Sequence, residues 1–194
     1  MNTTLPLVRT TFLLLIIINQ VLGSDQRPNL IYVVCDDLGY GDLGCYGQKV
    51  IKTPRFDRMA SEGLLFTDHY AGHTVCRPSR LVYLTGKHSG HTAIAGNNMH
   101  ILPEGSVTVT SLLQKAGYKT GGVGKWALGH LGSTGHPNRQ GFDFFYGYLD
   151  QSEAHDYYPE FLYRNESKER LPGNLNSGRR NVSSKKVTYA HSRI

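Results

Sequence analysis

The stretch Cys76-Arg77-Pro78-Ser79-Arg80 is the part of this chain best suited to chemistry. The cysteine follows a loop and opens a helical stretch. Its sulfur therefore stands at a helix N-terminus, where free N–H groups and the helix dipole favour an anion. Arg80, one turn on, shares that face. A positive local field both activates a sulfur nucleophile and holds an oxyanion such as sulfate or phosphate. The plainer alternative is a half-buried cysteine in a first helical turn. A second group is Asp36-Asp37, directly after the run Leu30-Ile31-Tyr32-Val33-Val34-Cys35. Two adjacent carboxylates repel each other unless something positive sits between them. A hard cation, Ca²⁺ or Mg²⁺, is the natural partner. A polar turn into Gly39, with one Asp capping a backbone N–H, accounts for the same residues.

The elements that must position these groups alternate. Leu30 to Cys35 is continuous, apolar and rich in β-branched residues, the pattern of a strand buried on both faces. It makes Cys35 a buried strand residue. A Gly-rich loop follows, Leu38 to Gly47. Thr53-Pro54 opens a helix that ends near Gly63. Leu64 to Tyr70 reads as a second strand. Residues 77–85 read as a helix stopped by Gly86, and 108–116 as a third stopped by Gly117. Tyr118 to Val123 and Phe142 to Tyr146 are further strands. This alternation predicts an α/β fold with a largely parallel sheet flanked by helices. Ligands of such folds bind beyond the carboxyl ends of strands, which is where Asp36-Asp37 falls.

Composition removes other classes. The 194 residues are 39% hydrophobic and 19% charged, a globular balance. Three cysteines cannot all pair internally, which excludes a disulfide scaffold. Residues 1–23 read as a secretory signal: Arg9, then the apolar run Phe12 to Ile18, then Gly23 before the cut. The run is shorter than the roughly 20 residues a membrane span needs. The mature chain, 24–194, then passes through an oxidising lumen. There Asn165-Glu166-Ser167 and Asn181-Val182-Ser183 are glycosylation acceptors. The net charge of +6 is concentrated at one end. Residues 165–194 hold seven basic and two acidic residues in a Gly/Asn/Ser-rich stretch, which reads as a solvated basic loop or hairpin. A nucleic-acid binder spreads its basic residues over a folded face, so that class drops out.

At these motifs the chain resembles the sulfatases, in their arylsulfatase branch. Cys76-Arg77-Pro78-Ser79-Arg80 with Leu84-Thr85-Gly86-Lys87 is similar to that family's first signature. Pro28 to Gly39 resembles its opening strand and metal site. Gly117-Tyr118-Lys119-Thr120 through Gly124-Lys125-Trp126 and Leu128-Gly129 resembles its second signature. Gly141-Phe142-Asp143 and Tyr157-Tyr158-Pro159 follow suit. The resemblance runs over about residues 27–191 and implies an alkaline-phosphatase/sulfatase-like fold. It also implies conversion of Cys76 to Cα-formylglycine by a formylglycine-generating enzyme in the secretory lumen. The product would be extracellular or lysosomal. A formylglycine hydrate carries two hydroxyls on one carbon. One attacks the sulfur of a sulfate ester, and the other then expels sulfate. By resemblance, Asp36, Asp37 and the modified Cys76 ligate the metal, usually Ca²⁺, with Mg²⁺ as alternative. Arg80 holds the formylglycine, Lys125 contacts the sulfate and charge on the leaving oxygen, and His155 stands on the substrate side.

The sequence departs from the family pattern twice. Where many sulfatases read Lys-Trp-His, this chain has Ala127, and His130 three residues on is a substitute only if the loop bends suitably. Loss of a general acid–base group typically costs about 10²–10⁴-fold. Family members are also considerably longer, and their remaining metal and sulfate ligands come from later in the chain. The resemblance therefore implies a catalytic domain incomplete at its C-terminal end. Three readings follow: the N-terminal part of a sulfatase, a short secreted binding protein without turnover, and a formylglycine-dependent phosphate or phosphonate ester hydrolase.

Overall fold

The computed structural model describes residues 27–92, 96–98, 100–155 and 157–174. The signal segment 1–23, Asn181 and most of the basic stretch 165–194 lie outside them. The chain divides into two compact units, Met1–Thr53 and Pro54–Ile194.

In the first unit, 27–35 has no regular secondary structure and Asp36-Asp37 form a turn, with Asp37 in the left-handed region at φ 60°. Short 3₁₀ turns follow at Tyr40–Asp42 and Gly44–Tyr46. They are tied locally. The Gly39 N–H donates to the Asp42 carboxylate at 2.6 Å, and the Gly44 N–H to Thr53 Oγ1 at 2.8 Å. The predicted buried strand over 30–35 is not found. The segment joins no ladder, Ile31 is 89% exposed, and Cys35 is exposed and free. A strand exists through its neighbours, and among the described residues none pairs with this run.

The second unit opens with helix α1, Pro54–Glu62, where the Thr53-Pro54 pair predicted a start. The predicted strand over 64–70 is absent, and Leu64 is 85% exposed. Helix α2, Cys76–Thr85, ends at Gly86, which takes φ 65° and returns its N–H to the Val82 carbonyl at 2.8 Å. Helix α3, Val109–Lys115, is opened by a capping box. Thr108 Oγ1 accepts from the Ser111 N–H, and Ser111 Oγ from the Thr108 N–H.

Four strands form one sheet in the order β1 (Gly121–Lys125), β2 (Phe144–Tyr148), β3 (Phe161–Arg164), β4 (Ser167–Arg170). Only β1 and β2 are parallel, and the other two pairs are antiparallel. The α/β class is as expected, but within the described residues the sheet is mixed. The β3–β4 pair must be antiparallel, because the two-residue Asn165-Glu166 connection can join strands in no other way. Asn165 takes φ 53° there. Beyond β1 the pairing continues: Trp126 N–H donates to Tyr148 O at 2.9 Å and Ala127 N–H to Leu149 O at 3.0 Å. Leu81 and Leu84 of α2 pack with Leu102, Trp126, Leu128, Phe145, Leu149 and Tyr163 in the main core. Burial of that cluster sets α2 against the carboxyl ends of β1 and β2.

Candidate active site

Cys76 is the first residue of α2 and is partly buried. The preceding cap residue, Val75, offers no side-chain acceptor, so the first-turn N–H groups are left for other partners. The Asn97 side chain is one of them. Its Oδ1 accepts the Arg77 N–H at 3.2 Å, and its Nδ2 lies 3.8 Å from the Cys76 sulfur. Arg77 is buried and reaches the other way. Its Nε donates to the Ala127 carbonyl at 2.8 Å and its Nη1 to the Asn97 carbonyl at 2.5 Å. Three chain segments therefore meet on one guanidinium.

Arg80, also buried, extends one turn along α2 and donates from Nη1 to the carbonyl of Lys125. That bond fixes the carboxyl end of β1 beside the helix. From there the Lys125 ammonium reaches His155, with Nζ and Nε2 3.4 Å apart. An ammonium has only donors, so in this contact Nε2 serves as the acceptor. His155 ends a short 3₁₀ turn, Glu153–His155. Ser152 and Glu153 in that loop donate backbone N–H groups to Asp150 Oδ1 at 2.6 and 3.3 Å.

The structure thus brings Arg80, Lys125 and His155 into contact as a chain and sets Cys76 at the start of the same helix. Asp36 and Asp37 belong to the other compact unit, exposed at its turn. Among the described residues no three His, Cys, Asp or Glu side chains gather as a metal shell. Ala127 is buried at φ 69° with both backbone groups bonded, to Arg77 and to Leu149. His130 is exposed, and its Nδ1 faces the Leu131 carbonyl at 3.0 Å within its own turn. Sequence reasoning missed Asn97 and Arg77. Asn97 sits in a Gly-Asn-Asn run that signals only a turn, and Arg77 falls at a position where the signature places no demand. A further neighbour is His100, whose pKa is pushed below the usual histidine value by burial first and by the Arg77 charge second.

The first residue of α2 is thus a thiol, and the same helix carries buried Arg80, bonded to the strand end that bears the Lys125–His155 pair. Comparisons with known proteins give the class. The sulfatase family model matches residues 28–193. Human arylsulfatase D is 39% identical over 158 residues, covering 74% of this chain and 27% of that protein. The N-acetylgalactosamine-6-O-sulfatase of Bacteroides thetaiotaomicron is 44% identical over 137 residues, 65% of this chain and 27% of its own length. The solved structure of BT4656 in complex with its substrate D-glucosamine-2-N,6-O-disulfate superposes with a TM-score of 0.64. It is 32% identical and is matched over 75% of this chain and 28% of its own. The chain belongs to the sulfatase family, whose members are sulfuric-ester hydrolases. It spans about a quarter of the length of the curated relatives it matches.

Proposed function

We propose that this chain carries the nucleophile side of a sulfate-ester hydrolysing centre. In this reading Cys76 matures to Cα-formylglycine in the secretory lumen, and Asp36 and Asp37 contribute to a Ca²⁺ or Mg²⁺ site. The observation that carries the reading is the contact chain from Arg80 through Lys125 to His155, which starts in the signature helix itself.

The residues fit the metal in kind. Asp36 and Asp37 are exposed carboxylates at one turn, the oxygen donors that a hard cation collects to a total of about 6–8. When bound, such a cation offsets negative charge on the sulfate and favours the ionised form of an oxygen nucleophile. The formylglycine supplies that oxygen. The side chains do the rest. Arg80 supplies permanent positive charge one turn from position 76 and holds the Lys125 backbone in place. The Lys125 ammonium donates to sulfate oxygens and to the oxygen of the departing alcohol, where charge grows. His155, with its acceptor nitrogen on Lys125, orients that ammonium, which is the acid placed to give a proton to the departing oxygen, while the imidazole can take up the ammonium's proton in turn. Ala127 takes no part, so proton handling falls to the Lys125–His155 pair.

Residues 1–23 direct export, and Asn165 and Asn181 receive glycans. At Asn165 the amide Oδ1 accepts from the Phe145 N–H at 2.8 Å and from Asn138 Nδ2 at 3.2 Å. A glycan on Nδ2 leaves both bonds in place. The protein then resides outside the cell or in lysosomes. No helix among the described residues is long and apolar enough to cross a membrane.

The test is hydrolysis of the sulfate and phosphate esters of one aryl alcohol by the secreted protein and by Cys76→Ala. The sulfate ester is expected to be cleaved and the variant to fall to background. Equal rates for protein and variant would sink the mechanism. A preference for the phosphate ester would move the protein to phosphoryl chemistry on the same nucleophile.

A further inference from the structure

Asn97 makes contacts that the sulfatase signature does not ask for. It is exposed, yet it has three polar links within the nucleophile's own turn. Which end of its amide faces the sulfur follows from chemistry. The Arg77 backbone N–H can only donate, so the atom 3.2 Å from it is the carbonyl oxygen. The amide nitrogen must then point at the side chain of residue 76, where it stands at 3.8 Å. The backbone of Asn97 is held in turn. Its carbonyl accepts from Arg77 Nη1, and the same guanidinium is anchored on the Ala127 carbonyl. The donor is thus preorganised by a buried arginine before any substrate arrives. An amide N–H beside sulfur is a weak partner, but beside an oxygen it is an ordinary donor.

We propose that Asn97 is a positioning residue for the nucleophile. Its Nδ2 donates to the oxygen that replaces the Cys76 sulfur and holds it in one rotamer, with Arg77 as the clamp. The proposal rests on the reading of Cys76 as the matured nucleophile. Asn97 touches neither the sulfur atom of the substrate nor the departing alcohol in this scheme. Misplacing a nucleophile by about 1 Å costs on the order of 10²-fold. Loss of the donor should therefore lower kcat about ten- to a hundredfold per matured site and leave KM nearly unchanged.

Two variants of the full chain separate positioning from a merely structural role. Asn97→Ala removes the donor and the acceptor. Asn97→Asp keeps the acceptor for the Arg77 N–H and replaces the donor by an anion. Turnover is measured per formylglycine, counted by peptide mass spectrometry. In parallel, the unmatured thiol protein is alkylated with iodoacetamide at fixed pH, because a donor on the sulfur favours the reactive thiolate. The expectation is that both variants lose turnover, that both alkylate Cys76 several-fold more slowly, and that Asp is at least as impaired as Ala. Turnover and alkylation in Asn97→Asp equal to those of the parent would overturn the proposal, since only the structural acceptor would then matter. If the parent carries formylglycine but cleaves no sulfate ester, the functional reading fails. The alkylation rates still decide whether Asn97 serves residue 76: slowing in both variants supports it, and unchanged rates refute it.

Discussion

His136 is fully buried in the connection between β1 and β2. Its Nδ1 accepts the Asn138 N–H at 3.4 Å, while Nε2 is buried and makes no hydrogen bond of regular geometry among the described residues. Burial is the main influence on its pKa and lowers it. Glu166 and the Asn165 backbone act upward, and Arg139 adds to the lowering. The sign of the consequence is fixed. The native imidazole binds a proton less readily than the unfolded one, whose pKa is about 6.5. Its contribution to stability is complete above that value and is lost as the pH falls below it toward the native pKa. The chain should therefore lose stability on acidification from pH 7 to 5. His136→Asn, which keeps an acceptor for Asn138, should flatten that loss. Urea midpoints at several pH values measure it, and an unchanged slope would remove His136 from the explanation. Single residues were also where the sequence was most and least informative. Cys76, Arg80 and Lys125 stand out by motif, and the structure does link Arg80 to Lys125. Asn97 acts across 20 residues through a side-chain amide, a contact that no local pattern encodes.

At the scale of elements, helices were legible because their ends are chemical. Thr53-Pro54 starts α1, Gly86 in the left-handed region stops α2, and Thr108 with Ser111 caps α3. Strands were less so, because a ladder is made with a partner elsewhere in the chain. The predicted strands 30–35 and 64–70 form none, whereas Ser167–Arg170, all polar, does so through its hairpin with β3. The hairpin turn, Asn165-Glu166, opens the stretch that the sequence marks as a basic loop or hairpin and lies within a glycosylation acceptor. The parallel pair that carries Lys125 has its own requirement. Gly147 of β2 lies against Gly124 of β1, and a Cβ at Gly147 would sit 2.0 Å from the Gly124 carbonyl oxygen. The atoms it would meet are all backbone, with no flexible side-chain end among them, so the strands would have to part. Gly147→Ala should destabilise the fold by about 1–3 kcal/mol, as overpacking does. It should also weaken activity by shifting Lys125, which pairs with Tyr148 one residue on. A thermal midpoint equal to the parent's would contradict this packing.

For the whole molecule, the family follows from residues 28–193 together, and the chemistry follows from one residue's covalent state. In the proposed reading Arg80, Lys125 and His155 bind the anion whatever occupies position 76, but only an oxygen nucleophile with a second hydroxyl can release sulfate again. The apolar start of the chain, read as a secretory signal, matters to the proposal for the same reason, since export would route Cys76 past the maturation enzyme. The most direct measurement is therefore peptide mass spectrometry of the protein secreted from its own cells. Trypsin cuts after Arg58 and Arg80 but not between Arg77 and Pro78, so the peptide Met59–Arg80 holds residue 76. The account predicts an aldehyde or its hydrate at that residue. An intact thiol in the secreted protein would contradict it and leave an anion-binding protein without turnover.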